Sequence, residues 1–233
     1  MNQRPRLAAA LSLLALSACG GASNSGASDG TLQIAVVPKG TTHEFWKSVH
    51  AGAEAAARDL GVEVIWKGPI REDDRAEQIQ IVENFVVRGV DGIVLMPMDR
   101  KALVTPAEEA GGQGIPVVVA DSDLDWEGRT SFVATDNRRG GELAGEALVE
   151  MMGGEGSVIL LRYQEGSAST FEREEGFLAA VGKAAGIEVI SSNQYAGATN
   201  EGAYQASENL LNSFKDVDGI FCPNESAAFG MLR

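Results

Sequence analysis

Short runs of valine, isoleucine and leucine recur along the chain, and segments with helical spacing separate them. Runs of this kind mark strands buried on both faces, which is typical of a mostly parallel sheet covered by helices. The alternation of strand and helix predicts the doubly wound α/β class. The predicted strands are residues 32–37, 62–66, 92–96, 116–120, 131–134, 158–161, 188–191 and 219–222, and the helices between them include 45–60 and 74–87.

The alternation restarts after Asp136-Asn137, which divides the chain into two units of ordinary domain size. We therefore predict two Rossmann-like lobes, an N-terminal lobe at residues 31–136 and a C-terminal lobe at residues 137–233. The chain ends at Arg233 inside a helix that is predicted to open at residues 224–227, and no C-cap signal follows. The second lobe is accordingly expected to be incomplete.

The N-terminus has the pattern of an export signal. Arg4 and Arg6 supply positive charge, residues 7–16 form an apolar segment, and Ala18 is a small residue before a cleavage site, so residues 1–18 are predicted to be a signal peptide. Residues 16–19, Leu-Ser-Ala-Cys, resemble the bacterial lipobox, which implies lipidation of Cys19; ordinary secretory cleavage is the alternative. Residues 19–30 are rich in glycine, serine and alanine and are predicted to form a flexible tether.

Charge and hydropathy narrow the class of partner. The chain has 33 acidic and 19 basic residues, and removal of the leader with Arg4 and Arg6 changes the net charge from −14 to −16. Because this charge repels phosphates, we expect no nucleic-acid partner. No segment of the sequence is apolar for long enough to span a bilayer, so we expect membrane attachment through the lipid anchor only.

The segment after the first predicted strand lacks the Gly-x-Gly-x-x-Gly motif of a nucleotide binder. It has His43, Phe45 and Trp46 instead, at the carboxyl end of a strand, where open α/β sheets bind their ligands. Aromatic faces beside polar side chains suit a sugar. The alternative is that both aromatics only anchor the first helix to the core.

Three more polar residues occupy positions suited to ligand contact. Asp121 follows the fourth strand and could accept two hydroxyl hydrogens, although it could equally be a turn or cap residue. Arg173 lies near the start of a helix, where a cation opposes the helix dipole, so either ligand anchoring or pairing with Glu172 or Glu175 would explain it. Asn224 ends the last predicted strand and offers both a donor and an acceptor, alone or together with a helix-capping role.

Enzymatic motifs are missing from the predicted lobes. We find no Cys-x-x-Cys, His-Glu-x-x-His or Gly-x-x-x-x-Gly-Lys-Ser/Thr, and the one Gly-x-Ser-x-Gly match, residues 26–30, lies in the predicted tether and not at a turn between a strand and a helix. His43, Asp121 and Arg173 could form an acid–base set, but nothing activates a nucleophile. The sequence therefore predicts a protein without catalytic activity, metal or cofactor.

Several stretches, in this order, resemble the periplasmic sugar-binding family that includes the ribose-binding protein. The similarity covers residues 32–233, and the matching stretches are residues 34–37, 45–46, 92–97, 115–121, 135–137, 172–177 and 223–225. The resemblance implies a type I periplasmic binding fold, with two lobes that are joined by three crossovers and close on a ligand. It also implies that His43, Phe45, Trp46 and Asp121 on one lobe, and Arg173 and Asn224 on the other, contact the ligand.

Departures from the family pattern suggest a modified pocket. Met96 stands where the ribose binder has an asparagine, and Ser122 stands where it has an arginine. We expect a roomier and less polar pocket on that side, and Thr42, Met96 and Ser122 are additional candidates for ligand contact. Ribose itself is therefore in doubt as the ligand.

The resemblance, the leader and the missing catalytic motifs predict an extracytoplasmic solute-binding lipoprotein of the periplasm or cell envelope. It is expected to act as a monomer that delivers a sugar or sugar-like solute to the permease of an ABC transporter. The alternative is a sensor that presents the solute to a chemoreceptor or kinase. A transcription regulator of related fold would need a DNA-binding N-terminus where this chain has a leader.

Overall fold

The computed structural model describes residues 30–233, so the predicted leader, Cys19 and all of the predicted tether except Gly30 lie outside the described residues. The first sheet has five strands in the order β2-β1-β3-β4-β5, and all of its neighbouring pairs are parallel. The strands are β1 (Gln33–Val37), β2 (Glu63–Trp66), β3 (Gly92–Leu95), β4 (Val117–Ala120) and β5 (Ser131–Val133).

Helices cover both faces of this sheet. Alternate side chains of β1 point to opposite faces, because the side-chain period of a strand is two. Ala35 and Val37 pack against α2 (Arg75–Arg88) and α3 (Val104–Gly112), whereas Ile34 and Val36 pack against α1 (Glu44–Leu60). Helix α1 ends at Gly61, whose left-handed φ of 66° suits glycine at a helix C-terminus.

The second sheet repeats the arrangement. Its described strands β6 (Glu155–Arg162), β7 (Gly186–Tyr195) and β8 (Gly219–Phe221) are parallel, in the order β7-β6-β8. Helices α4 (Asn137–Met151) and α5 (Ala168–Val181) cover the face that carries Val158 and Leu160. Helices α6 (Asn200–Ser213) and α7 (Glu225–Leu232) cover the face that carries Ile159 and Leu161.

These two sheets confirm the predicted doubly wound α/β class. All eight predicted strands are present, but β6 and β7 are longer than predicted. The predictions followed apolar runs, and the extensions are polar: Arg162 of β6 pairs with Tyr195 of β7, and Gln194 also belongs to β7. A prediction based on apolar runs therefore misses the polar residues at the ends of a strand.

We call β1–β5 with α1–α3 the first lobe, and α4–α7 with β6–β8 the second lobe. Within residues 30–233 the chain passes between them once, through residues 134–136, whereas the resemblance implied three crossovers. Residues Thr31–Arg233 form one compact unit.

Among the described helices, none combines the length and apolarity needed to cross a membrane.

Helices α4 and α5 cross at very short range because glycines line the crossing. A Cβ atom on Gly141 of α4 would collide with the carbonyl oxygen of Arg173 in α5. A Cβ atom on Gly176 of α5 would likewise collide with the carbonyl oxygen of Arg138 in α4. This crossing fixes the position of the helix turn that carries Arg173.

Replacing Gly141 with alanine should destabilise the protein, because the added methyl group meets backbone that has no rotamer to adjust. We expect the free energy of unfolding to fall by at least about 1–3 kcal/mol, the usual range for an overpacked core. The neighbouring Gly140 is the matched control, since a Cβ atom there meets nothing within 4 Å. Gly140→Ala should stabilise the helix by up to about 1 kcal/mol. Equal urea midpoints for the two variants would contradict the close crossing.

Candidate functional site

A cavity of about 400 Å³ lies where the carboxyl ends of the strands of both lobes face each other. In each lobe the first strand is flanked by the second and third, which creates a crevice beyond its carboxyl end. The residues that line the cavity are Lys39, His43, Glu44, Phe45, Trp46, Ser48, Glu72 and Asp121 from the first lobe, and Tyr163, Ser169, Thr170, Arg173, Asn224 and Glu225 from the second.

The structure brings six of the predicted site residues together at this cavity: His43, Phe45, Trp46, Asp121, Arg173 and Asn224. The first four belong to the first lobe and the last two to the second. Each lies at or near the carboxyl end of a strand or in the helix that follows. The cavity therefore has an aromatic and acidic wall opposite a wall that carries an arginine and an amide.

The other three candidates do not line the cavity. Thr42 is exposed and its hydroxyl donates to the carbonyl oxygen of Ile70 at 3.2 Å. Met96 is buried in the core behind Trp46. Ser122 is fully buried, and its hydroxyl accepts from the backbone N–H of Ser169 at 3.0 Å, so it joins the two lobes.

Glu72 is the central buried charge of the site and was not among the predicted residues. Its Oε1 accepts from Trp46 Nε1 at 2.6 Å and lies 2.7 Å from His43 Nδ1. Its Oε2 accepts from the hydroxyl of Tyr163, in the second lobe, at 2.6 Å. Both oxygens of a carboxylate that is only 7% exposed are therefore satisfied by donors from the two lobes.

These contacts shift the pKa values of the residues involved. Burial acts to raise the pKa of Glu72, but the hydrogen bond from His43, the charge of Lys39 and the hydrogen bond from Tyr163 outweigh it, so the pKa is lowered. The hydrogen bond to Glu72 raises the pKa of His43 in spite of burial. Burial, followed by the negative charge of Glu72, raises the pKa of Tyr163, which keeps this phenol a donor.

A second buried charge, Lys39, spans the lobes beside Asp121. Lys39 follows β1 and is 3% exposed; its Nζ lies 3.1 Å from Asp121 Oδ2 and donates to the hydroxyl of Ser169, in the second lobe, at 3.0 Å. Asp121 has a φ of 62° and is the one non-glycine residue with positive φ in the described chain. Such a conformation costs roughly 1–3 kcal/mol and is common at ligand sites, where surrounding contacts hold it.

Arg173 extends from α5 toward the cavity. Its Nε donates to Asn137 Oδ1 at 2.8 Å and its Nη1 donates to the carbonyl oxygen of Pro223 at 2.9 Å. Among the described residues, Nη2 has no partner, so it is free to donate to a ligand. The alternative of surface pairing is wrong, because Glu172 contacts Arg138 and Glu175 contacts Arg162.

Phe45 and Trp46 have different environments. Trp46 is 2% exposed and packs against Val36 and Met96, while Phe45 is 46% exposed at the cavity. The two rings meet edge to face, with centroids 4.8 Å apart. Trp46 therefore anchors α1, as the alternative interpretation of the sequence held, and Phe45 presents the accessible ring.

Asn224 performs the capping role that its sequence position allowed. Its Oδ1 accepts from the backbone N–H of Ala227 at 3.3 Å at the start of α7, and its Nδ2 contacts Ser226 Oγ at 3.3 Å. The side chain also borders the cavity, so capping and ligand contact are compatible.

The residues that the sequence analysis missed have recognisable positions. Lys39 is the second residue after β1, Tyr163 is the first residue after β6, and Glu72 lies in the segment between β2 and α2. Attention to every residue beyond a strand's carboxyl end would have found Lys39 and Tyr163. Glu72 is harder to find, because the run Arg71-Glu72-Asp73-Asp74 reads as a solvated loop.

Hydrogen-bonding groups and aromatic surface dominate this site. Among the described residues, no group of three histidine, cysteine, aspartate or glutamate side chains could hold a metal ion. The acids and cations are mostly paired with one another, so the site is equipped to bind a polar solute in a fixed orientation.

Comparison with known proteins identifies the family. The family model of the periplasmic binding protein domain matches residues 34–233. The chain belongs to this family. The resemblance inferred from the sequence is thereby confirmed, and the family is one of solute-binding proteins and not of enzymes, as the missing motifs predicted.

Three similar proteins place the chain within the family. It is 30% identical to the ribose import binding protein of Bacillus subtilis, covering 81% of this chain and 60% of that protein. It is 31% identical to the D-ribose/D-allose-binding protein of Pseudomonas aeruginosa, covering 86% and 65%. The periplasmic component of an ABC-type sugar transport system from Hahella chejuensis superposes with a TM-score of 0.82 at 35% identity, covering 85% and 73%. The chain thus spans less than two thirds of the first two relatives.

The His43–Glu72 pair should make stability depend on pH. The folded-state pKa of His43 is raised above its usual 6.5, so its contribution is complete below pH 6.5 and is lost as the pH rises through the raised value. The pKa of Glu72 is lowered from 4.5, so its contribution is complete above pH 4.5 and is lost as the pH falls through the lowered value. Thermal unfolding between pH 4.5 and 9 should therefore show greatest stabilisation by the pair between pH 4.5 and 6.5.

In the parent, the unfolding temperature should decrease as the pH rises above 6.5, in part because this pair is lost. In His43→Gln, that part of the decrease should be absent. His50→Gln is the control, because it removes an imidazole from the same helix, where His50 contacts Glu54 at 3.4 Å and stacks on Trp66 away from the cavity. An identical pH profile for the parent and His43→Gln would show that the pair does not stabilise the fold.

Proposed function

We propose that the protein binds a sugar or sugar-like solute in the cavity between its lobes and delivers it to the permease of an ABC transporter. The observation that carries this proposal is the composition of the cavity. The first lobe contributes the ring of Phe45 and the carboxylate of Asp121, and the second lobe contributes the guanidinium of Arg173 and the amide of Asn224. Apolar ring faces and paired donors and acceptors match the faces and hydroxyl groups of a sugar.

The size of the cavity favours a small ligand. Its volume of about 400 Å³ lies at the lower end of the roughly 300–1,000 Å³ typical of small-molecule sites. The names of the two relatives, which are ribose and ribose/allose binders, support a monosaccharide. Met96 and Ser122 do not reach the cavity, so these departures do not make it roomier or less polar, and they neither favour nor exclude ribose.

We further propose the organisation that the sequence predicts. Residues 1–18 are a signal peptide that is removed, residues 19–30 are a tether, and the lobes comprise residues 31–136 and 137–233. Lipidated Cys19 anchors the protein, which is a monomer in the periplasm or cell envelope.

Arg173 should contribute to sugar affinity through the free Nη2. In calorimetry of the full-length protein against a panel containing D-ribose, D-allose and D-galactose, at least one sugar should bind. Arg173→Ala should weaken that binding by about ten- to a hundredfold, the equivalent of one charge-assisted hydrogen bond worth roughly 1.5–3 kcal/mol.

Arg138→Ala is the matched control, because Arg138 is an exposed arginine on α4 that pairs with Glu172 at 3.5 Å and does not line the cavity. It should bind the sugar as the parent does. Binding to none of the sugars, polyols or nucleosides of a wider panel would refute the proposed function, and tight binding by Arg173→Ala would refute the role of the arginine.

Lipid anchoring can be tested independently of binding. Replacing Cys19 with serine removes the thiol that would be acylated, so the full-length protein expressed in a bacterium should move from the membrane fraction to the soluble fraction. Cys222→Ser is the control, because Cys222 lies in the partly buried core of the second lobe. Membrane association of Cys19→Ser would show that the anchor is not this cysteine.

A further inference from the structure

Helix α1 begins without a side-chain cap of its own. His43 is the N-cap residue and its side chain makes no capping hydrogen bond, since its Nδ1 contacts Glu72 instead. The first N–H groups of a helix have no partner within the helix and need one from elsewhere.

The partner comes from the other lobe. The backbone N–H of Glu44 donates to Glu225 Oε1 at 3.2 Å, and that of Phe45 donates to Glu225 Oε2 at 3.2 Å. Glu225 is the first residue of α7 in the second lobe, 180 residues away from Phe45 along the chain. Each oxygen of one carboxylate thus accepts from one amide of the opposite lobe.

The electrostatic surroundings favour a negative charge at this point. Helix N-termini carry partial positive charge, and the Glu225 carboxylate lies in the first turn of α7 while it contacts the start of α1. The charge of Glu225 is also among the causes of the raised pKa of His43.

This contact differs from the other bridges between the lobes. Glu72 with Tyr163 and Lys39 with Ser169 are buried, so water must first enter the contact between the lobes before it can replace these partners. Glu225 is exposed, and its partners are backbone amides at a helix end that water can also satisfy. The contact can therefore form and break at small cost as the lobes close and open.

We propose that Glu225 is a clasp that holds the two lobes closed around the cavity and so slows the escape of bound solute. The expected effect on solute release rests on the proposed function. The expected effect on the compaction of the lobes does not. The clasp acts by capping α1 from across the cleft, and it needs no direct contact between Glu225 and the solute.

The test uses the full-length protein with Glu225→Gln and with Glu225→Asp. The first removes the charge; the second keeps the charge but shortens the side chain by one methylene, so that it no longer reaches both amides. Glu201→Gln is the matched control, because Glu201 is an exposed acid in the first turn of α6 in the same lobe, outside the cavity. Thermal unfolding first establishes that each variant is folded.

Two measurements follow, and only one of them needs a sugar. Small-angle scattering without sugar gives the compaction of the lobes, and stopped-flow tryptophan fluorescence gives the dissociation rate of D-ribose or of whichever panel sugar the parent binds. Both Glu225 variants should be less compact without sugar. They should also release sugar about two- to fivefold faster, the usual effect of a charge at a helix terminus. Glu201→Gln should match the parent in both.

Compaction of the Glu225 variants that matches that of Glu201→Gln would overturn the clasp, even if sugar release is faster, because Glu225 also lines the cavity and can contact the sugar directly. If the Glu225 variants are less compact but neither they nor the parent bind any sugar, the clasp is supported and the proposed function is refuted. Failure of the clasp and failure of the proposed function therefore give different results.

Discussion

The carboxylate of Glu72 imposes the strictest physical condition on this structure. An ionised carboxylate out of water costs several kcal/mol unless its oxygens are fully hydrogen-bonded. Glu72 meets that condition only because His43 at the N-cap of α1, Trp46 within α1 and Tyr163 just beyond β6 converge on it. The donors come from both lobes, so the hydrogen bonds that make the charge tolerable also fix how the lobes meet. The shape of the cavity above Glu72 follows from this meeting.

Polar side chains, and not the apolar cores, join the two lobes beside the cavity. The apolar cores lie within each lobe, between sheet and helices, and do not cross the cleft. Lys39 with Ser169, Ser122 with Ser169 and Tyr163 with Glu72 join the lobes by directional hydrogen bonds instead. Polar interfaces of this kind permit relative motion, because opening them replaces protein partners with water and leaves the cores intact. Lys39, Glu72, Tyr163 and Ser169 thus both line the cavity and join the lobes, whereas Ser122 joins the lobes from behind the cavity wall.

The fold and much of the site could be predicted because topology constrains them. A strand buried on both faces leaves an apolar run in the sequence, and residues just beyond its carboxyl end must lie at the crevice; His43, Asp121 and Asn224 were found in this way. Glu72 was not, because nothing local distinguishes an acid that will meet three donors from its neighbours Asp73 and Asp74. Its burial is a property of the assembled lobes, since one donor comes from a residue 91 positions away. Met96 and Ser122 were placed by resemblance alone, and the structure puts both behind the cavity wall.

The aromatic pair shows why sequence adjacency is a poor guide to a shared role in a helix. Consecutive residues in an α-helix point about 100° apart, because the helix has 3.6 residues per turn. Phe45 and Trp46, at the start of α1, therefore cannot present their rings to the cavity equally. The residue whose ring carries an N–H turns inward, where that N–H meets Glu72, and the purely apolar ring remains accessible. Because Trp46 packs against Phe45 edge to face, the inward ring supports the outward one. The buried charge of Glu72 thereby decides which aromatic ring stays accessible at the cavity.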